Sequence, residues 1–263
     1  MPSAVKVPAL AVVAVLTLGS LLPGQTAPPL GAKSQARPAD LTGVWSWTRH
    51  PPDNARKYTL DELIGTLGTE VPPMTSSGQA KFNAAKPNRG PRAVLLSQTN
   101  DSVLTCFPPG VPRIYSIGLG LPFEIVQVPG RVIMIFEYDH FVREIYTDGR
   151  QHPADLNPTW MGDSVGSWEG DTLVVDTVGF NDKTWLDQLG HPHSDALHVV
   201  ERIRRVSHDS IRDDITIDDP KTYTKPWVAR IVFDSRPGWK IEEHVCEDFL
   251  NSTGLQKITE SAK

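Results

Sequence analysis

Residue types that bind metals, transfer protons or hold polar ligands are concentrated between Gly190 and Arg205. The segment reads Gly-His-Pro-His-Ser-Asp-Ala-Leu-His-Val-Val-Glu-Arg-Ile-Arg-Arg and contains three histidines, two acids and three arginines. Apolar and polar residues alternate in its second half, which is typical of a half-buried strand. We therefore expect a functional site along this strand, serving proton transfer, metal ligation or ligand binding.

A second group of polar and aromatic side chains lies in the segment Tyr138–Tyr146. It is too polar for a purely apolar barrel interior and too aromatic for an ordinary solvent face, so we expect it to line a polar cavity. In such a cavity an arginine binds a carboxylate through two hydrogen bonds, and an imidazole exchanges protons. The alternative is that Arg143 and Glu144 form ion pairs on the outer face, which stabilise little.

These two segments and the region between them supply the candidate site residues. The predicted catalytic residues are His140, Arg143, His193, Asp195, His198 and Glu201. The predicted ligand-binding residues are Tyr138, Tyr146, Trp160, Asp176, Trp185 and Asp187. The two tryptophans would offer stacking surface, and the aspartates would orient an imidazole.

The histidines His191, His193 and His198 form an alternative metal site. Cupin barrels use H-x-H followed three or four residues later by a carboxylate, whereas here the first acid on the strand is Glu201. On one continuous strand His198 would point away from the other two histidines, unless a bend at Pro192 changed this. Metal binding therefore stays open, and we assign no cofactor.

The stretch Gly162-Asp-Ser-Val-Gly166 matches the G-x-S-x-G motif that carries the nucleophile of α/β-hydrolases. That motif must lie between a strand and a helix, but here a hairpin turn and a β-branched segment follow it. We therefore expect Ser164 to make a local hydrogen bond at a strand entry and not to act as a nucleophile.

The elements that must position these residues follow from the spacing of apolar and turn-forming residues. Residues 37–112 are rich in proline and turn formers and predict a wrapping segment. Within it we expect a strand at Leu41–Thr48 and helices at Leu60–Thr66 and Gly78–Lys86. From residue 113 to 250, short alternating segments separated by turn signals predict an antiparallel meander.

The meander strands are expected at Phe123–Val128, Val132–Tyr138, Phe141–Thr147, Ser164–Trp168, Thr172–Val178, Leu197–Val206, Ile211–Ile217, Trp227–Phe233 and Lys240–Cys246. Regular strand spacing without amphipathic helices favours an up-and-down barrel or a sandwich over a parallel α/β sheet. The predicted fold class is mainly β: a barrel-like antiparallel meander with an extended Pro-rich N-terminal segment, in a single domain over residues 37–263.

The stretch Gly43-Val44-Trp45 resembles the G-x-W signature that opens the first strand of lipocalins and other calycins. The resemblance implies a calycin-like barrel whose base is closed by the tryptophan, with an arginine from a late strand over it. The wider stretch from Pro72 to Asp248, with GVPRIY, FEYDHFVREIYTDGR, SWEGDTLVVDTVGFNDKTWLD and HSDALHVVERIRR, is similar to a group of exported bacterial proteins of unassigned function. That similarity implies export and a β-fold and carries no mechanism.

The N-terminus predicts a cellular compartment. Met1–Lys6 is a short region with one positive charge, Val7–Leu22 is an almost uncharged apolar segment, and residues 23–36 are small, polar and Pro-rich. This pattern is typical of a secretory signal peptide and linker over residues 1–36. We therefore expect an exported protein, periplasmic or secreted, without a membrane span after cleavage. An N-terminal anchor that is not cleaved is the alternative.

The charge balance limits the choice of partners. Two of the 26 basic residues lie before position 37, which leaves 24 against 31 acidic residues. Nucleic acid is therefore not an expected partner, because polyanion binding needs a basic face. We interpret the acidic pairs Asp213-Asp214 and Asp218-Asp219 as solvated strand edges. A small organic ligand or substrate is the expected partner, and no oligomeric state is predicted.

The chain contains two cysteines, Cys106 and Cys246. In an oxidising compartment we expect them to form one disulfide that ties the N-terminal segment to the last strand. Two buried free thiols are the alternative.

These observations predict a small-molecule-binding barrel that carries out acid–base catalysis in a cavity lined by His, Arg and Asp. The alternatives are a non-catalytic, lipocalin-like carrier of an aromatic or apolar ligand, and a metal-dependent, cupin-like enzyme. A structural protein whose barrel is filled by its own side chains is a further alternative.

Overall fold

The structure is a computed structural model that describes residues 39–47, 73–119 and 121–252. The predicted signal peptide and linker at residues 1–36 and the predicted helix Leu60–Thr66 lie outside these ranges. Within the described ranges, no helix has both the length and the apolar character that crossing a bilayer requires.

In the described residues, nine strands close into a barrel in which each strand pairs with its neighbours along the chain and the last pairs with the first. The strands are β1 (Gly43–Trp47), β2 (Phe123–Val128), β3 (Arg131–Phe136), β4 (Val142–Tyr146), β5 (Asp163–Glu169), β6 (Thr172–Val178), β7 (His198–Ser207), β8 (Ser210–Asp218) and β9 (Trp227–Ser235). Buried residues alternate with more exposed ones, because successive side chains point into the barrel and away from it. This closed, mainly β architecture confirms the predicted fold class.

The hairpins and the first helix lie close to their predicted positions. β2 and β6 have the predicted bounds, and helix α1 (Ser76–Ala84) begins two residues before the predicted helix Gly78–Lys86. Gly130 and Gly170 occupy the tight turns after β2 and β5 with φ of 76° and 64°, a conformation that glycine adopts without strain.

The pairing of β4 with β5 is parallel, whereas the other pairs of the barrel are antiparallel. This differs from the expected antiparallel meander. A parallel pair requires a crossover, and the connection over residues 147–162 is long enough to provide one. It brings His152 to the outer face of the barrel, in contact with Asp163 on β5 and Asp176 on β6.

The predicted strand Lys240–Cys246 is wrong. Residues 240–245 contain no strand, and helix α2 (Cys246–Ser252) begins where the strand was expected to end. β9 pairs with β1 over the residues Trp45–Trp47, so the barrel is already closed and leaves no edge for a further strand.

Aromatic side chains pack in the barrel interior. Tyr115 enters from the 3-10 turn Arg113–Leu119 and contacts the rings of Phe123, Phe136 and Phe233 at centroid distances of 5.2 to 5.8 Å. All four rings are at most 2% exposed. Each contributes about 1.5–3 kcal/mol of hydrophobic stabilisation, so this part of the barrel is a packed core.

The G-x-W tryptophan has the surroundings that the resemblance to calycins implies. Trp45 is buried on β1 and donates from Nε1 to the carbonyl of Leu41 at 2.9 Å. The guanidinium of Arg205, near the end of β7, lies 5.3 Å from the centre of its ring. Arg205 also donates to the carbonyl of Asp40 at 2.8 Å, which fixes the guanidinium over the ring.

Cys106 and Cys246 form the predicted disulfide, with their Cα atoms 5.7 Å apart. The bond joins the wrapping segment to α2 and not, as expected, to a strand. Val103, Tyr138 and Leu250 are buried around it and form a second, smaller apolar core.

Candidate functional site

Two of the predicted catalytic residues, Arg143 and Glu201, meet inside the barrel. They occupy inward-facing positions of β4 and β7 and are at most 2% exposed. Two guanidinium nitrogens donate to the two carboxylate oxygens, with Nη1 2.9 Å from Oε1. The Tyr115 hydroxyl donates to Oε1 as well, at 2.8 Å. Arg143 thus clamps a carboxylate, but the carboxylate belongs to the protein itself.

Two hydroxyl groups extend this set of buried side chains. We call Tyr115, Arg143, Ser164, Thr177, Glu201 and Asp213 the interior network. Arg143 donates to Ser164 from Nε at 3.2 Å and to Thr177 from Nη2 at 3.0 Å. Ser164 therefore lies on a strand inside the barrel, and not at the strand–helix turn that the nucleophile of an α/β-hydrolase needs. Glu144, the other expected partner of Arg143, is half-exposed and pairs with Arg131 at 2.5 Å.

Asp213 adds a second carboxyl group to the interior. It is fully buried on β8, which corrects the interpretation of Asp213-Asp214 as a solvated pair. Burial and then the Glu201 carboxylate raise the pKa of Asp213 well above its usual value, while Arg143 offsets part of the shift. In the described part of the chain no donor reaches either oxygen of Asp213. The carboxyl group therefore keeps its proton and donates it towards Glu201.

The same environment sets the protonation of the neighbouring groups. Burial raises the pKa of Tyr115, which stays a neutral donor. Burial lowers the pKa of Arg143, but Glu201 and Tyr115 raise it by more, so the guanidinium stays charged. The interior network thus combines one ion pair with a neutral acid, and its side chains are at most 3% exposed.

A second set of titratable side chains lies on the outside of the barrel; we call His152, Asp163, Asp176 and His198 the outer cluster. Asp163, Asp176 and His198 occupy outward-facing positions of β5, β6 and β7. His152 contacts Asp163 through Nδ1 at 2.6 Å and Asp176 through Nε2 at 3.2 Å. His198 Nε2 lies 3.0 Å from the same Asp176 oxygen, so one carboxylate serves two imidazoles.

The outer cluster is partly open to solvent. Its side chains are 21% to 44% exposed. Imidazoles that are hydrogen-bonded to carboxylates and partly open to solvent are a common arrangement for proton transfer.

His193 lies in the connection from β6 to β7, because β7 begins at His198, one residue after the predicted start at Leu197. Its Nδ1 faces the carbonyl of Ser194 at 3.2 Å, and its Nε2 faces the hydroxyl of Thr184 at 2.8 Å. A carbonyl only accepts, so Nδ1 carries the proton and Thr184 donates to Nε2. Burial lowers the pKa of His193, which favours this neutral form.

The three histidines of the alternative metal site have different partners. His191 contacts Asp187, His193 contacts Thr184, and His198 belongs to the outer cluster. Among the described residues, no group of three or more His, Cys, Asp or Glu side chains could hold a metal ion. The geometry therefore offers no support for metal ligation by these histidines.

Three other predicted residues lie away from both sets of titratable side chains. His140 is exposed and has a left-handed backbone with φ of 51°. Asp195 pairs with Lys221 at 2.7 Å on the surface. Tyr138 is buried beside the disulfide, and its hydroxyl lies 3.3 Å from Cys246 Sγ.

The remaining predicted aromatic residues do not converge on one site. The Tyr146 hydroxyl contacts Glu144 at 3.1 Å on the outer face. Trp160 stacks on the half-exposed ring of Phe107 at a centroid distance of 5.3 Å. Trp185 lies 5.5 Å from the guanidinium of Arg113.

Sequence reasoning missed His152 and Asp163 of the outer cluster, and Tyr115 and Asp213 of the interior network. Asp213 had a usable signal, because it alternates with isoleucines along β8 and so must share their inward face. No sequence pattern identified His152, because only the crossover between β4 and β5 brings it to the barrel.

A comparison of the chain with protein-family models and with curated proteins finds no match. The similarity to exported bacterial proteins therefore stays a prediction, and the geometry of the two sets of titratable side chains is what bears on function.

Proposed function

We propose that the protein is an enzyme that carries out acid–base chemistry on a small polar molecule at the outer cluster. One observation carries this proposal: two imidazoles share the Asp176 carboxylate at 3.0 and 3.2 Å while remaining partly open to solvent. An imidazole with a carboxylate behind it and solvent before it is the usual arrangement of a general base.

Each member of the cluster has a distinct role in this proposal. Asp176 holds Nε2 of His198, so Nδ1 is the ring nitrogen that meets the substrate and takes its proton. His152 contacts the same carboxylate and supplies or receives a proton in the return step. Asp163 orients His152 through Nδ1. No cofactor is needed for these steps.

The packed interior supports a site outside the barrel. A lipocalin-like carrier needs an open apolar lumen, whereas the described interior side chains, such as Tyr115 and Phe233, pack against one another. The export that the N-terminus predicts is part of the proposal, and the disulfide supports it because such bonds persist in oxidising compartments.

The test compares turnover by the parent protein with turnover by Asp176→Asn, over a panel of hydroxy acids, lactones and enolisable carbonyl compounds. Asp214→Asn is the matched control, because Asp214 is an outward-facing aspartate that pairs with Arg230 and lies outside the cluster. We expect Asp176→Asn to lose about 100-fold or more of the rate and Asp214→Asn to keep it. Equal rates in the two variants would contradict the proposal.

A further inference from the structure

We infer that Cys106 is a site of thiol–disulfide exchange, where a small thiol or dithiol attacks Sγ and Cys246 leaves as a thiolate beside the Tyr138 hydroxyl. The two sulfurs have unequal surroundings. Cys246 is 3% exposed and lies in the second core, whereas Cys106 is partly exposed and packs against that core. Its neighbours Thr105 and Phe107 are both exposed. A thiolate reacts with the sulfur that it can reach, so Cys106 is the one attacked.

The Tyr138 hydroxyl stabilises the sulfur that leaves. It lies 3.3 Å from Cys246 Sγ and 3.4 Å from the carbonyl oxygen of Val103, and it has one proton to donate. In the intact disulfide the sulfur is a weak acceptor, so the carbonyl takes this hydrogen bond. When Cys246 becomes a thiolate, its charge makes it the stronger acceptor, and the hydroxyl turns towards it. Burial raises the pKa of Tyr138, so the hydroxyl keeps its proton.

The backbone around the disulfide has an uncommon conformation. In the described ranges, the non-glycine residues with a left-handed backbone are Cys106, Asp139 and His140, with φ of 61°, 51° and 51°. All three lie at the disulfide or next to it, because the Asp139 carboxylate accepts from the backbone N–H of Cys246 at 2.8 Å. This conformation is unfavourable for residues with a Cβ atom, and it clusters at functional sites. Breaking the disulfide removes one of the constraints that hold Cys106 in it.

The reaction requires two electrons, which a dithiol supplies. One of its thiolates forms a bond to Cys106 Sγ, the bond between the two cysteines breaks, and the electron pair stays on Cys246 Sγ, which then takes a proton from water. The second thiolate of the reductant attacks the reductant's own sulfur in the mixed disulfide and releases Cys106 as a thiolate. The reductant leaves as a disulfide, and the protein holds two thiols. A monothiol stops at the mixed disulfide on Cys106.

The reaction acts on α2 and leaves the barrel closed. Closure depends on the pairing of β1 with β9, in which neither cysteine takes part. The second core, in contrast, has few apolar members besides Cys246 itself. Regions with few buried apolar contacts open at a lower free energy than global unfolding requires. We therefore expect reduction to loosen α2 against Val103 and Tyr138 while the strands keep their pairing.

The experiment maps where a thiol attacks. The oxidised full chain is incubated with reduced glutathione, free thiols are blocked with N-ethylmaleimide, and peptides are identified by mass spectrometry. We expect glutathione on Cys106 about ten times as often as on Cys246, because access decides which sulfur reacts. The same reaction in urea, where both sulfurs are accessible, is the control and should label both cysteines. Equal labelling in the folded protein, or no labelling where the unfolded chain reacts, would overturn the inference.

Variants then test the group that receives the leaving thiolate. Tyr138→Phe keeps the ring and removes the hydroxyl, and we expect the reaction with glutathione to slow about tenfold, as the loss of one hydrogen bond to a charged group requires. Tyr146→Phe, which removes a hydroxyl that contacts Glu144 on the outer face, is the control and should keep the rate. A second core that is only loosened would react faster, so an equal or faster rate in Tyr138→Phe would overturn the inference.

If Tyr138→Phe does not fold, the mapping of glutathione decides alone. None of these outcomes depends on the outer cluster, so the two proposals fail separately.

Discussion

Asp213 makes the stability of the barrel depend on pH. Its raised pKa means that the folded protein holds a proton which the unfolded chain releases near pH 3.9. The contribution of Asp213 to the free energy of unfolding is therefore fully present below that pH and is lost as pH rises towards the raised pKa, by up to about 1.4 kcal/mol per pH unit.

Asp213→Asn removes this titration and keeps a donor towards Glu201. We expect the variant to gain stability relative to the parent protein as pH increases from 5 to 9. Urea unfolding at these pH values measures the difference. Asp171→Asn, at an exposed position in the turn after β5, is the control and should follow the parent curve. Parallel curves for the parent and Asp213→Asn would show that Asp213 is ionised in the folded state.

Arg143 and Glu201 stabilise the interior only as a pair. Arg143→Met leaves the buried Glu201 carboxylate uncompensated, and we expect a loss of about 3–5 kcal/mol in the free energy of unfolding. Replacing both residues by methionine removes the orphan charge and should recover most of that loss. Chemical denaturation of the two single variants and the double variant tests the coupling, and additive losses would disprove it.

At the scale of elements, Gly78 determines how closely α1 lies on the barrel. A Cβ atom at this position would stand 2.2 Å from the carbonyl oxygen of Thr222, which is a backbone atom that cannot rotate away. Gly78→Ala raises helix propensity by about 1 kcal/mol, yet we expect it to lift α1 and speed amide exchange over residues 76–92. Gln79→Ala, at an exposed position of α1, should leave exchange unchanged. Slower exchange in Gly78→Ala would mean that propensity outweighs the clash.

The elements also show how far the sequence predicts this structure. Alternation and turn residues located the barrel strands, because burial of every second residue is a local property of a chain. Two features were not predicted: the parallel pairing of β4 with β5, and the absence of a strand at Lys240–Cys246. Both depend on which strand edges of the barrel are still free to pair, and the local sequence pattern does not contain that information. Asp176 and His198 of the outer cluster were predicted, whereas His152 was missed for the same reason, since it reaches the cluster through the crossover. Arg143 and Glu201 were predicted because each lies in a segment rich in polar and titratable residues, and their meeting inside the barrel was not predicted.

At the scale of the whole molecule, the disulfide connects the wrapping segment to α2, two parts of the chain that strand pairing in the barrel does not join. Cys106 and Cys246 are 140 residues apart, so the bond closes a loop that contains most of the barrel and restricts the unfolded chain strongly. It also holds α2 against Val103 and Tyr138 in the second core, which has few other apolar members. Both effects predict that the bond stabilises the fold without shaping the strands.

The double variant Cys106→Ser/Cys246→Ser separates these effects. We expect it to lose about 2–4 kcal/mol in the free energy of unfolding, because the unfolded chain regains the freedom of the long loop. The far-ultraviolet circular dichroism of the barrel should stay unchanged, while amide exchange should accelerate in α2 and around Val103. An unchanged unfolding midpoint would mean that the disulfide adds nothing to the free energy of unfolding, and that the second core holds α2 without it. Exchange that accelerates equally throughout β1–β9 would instead make the bond a part of the barrel core.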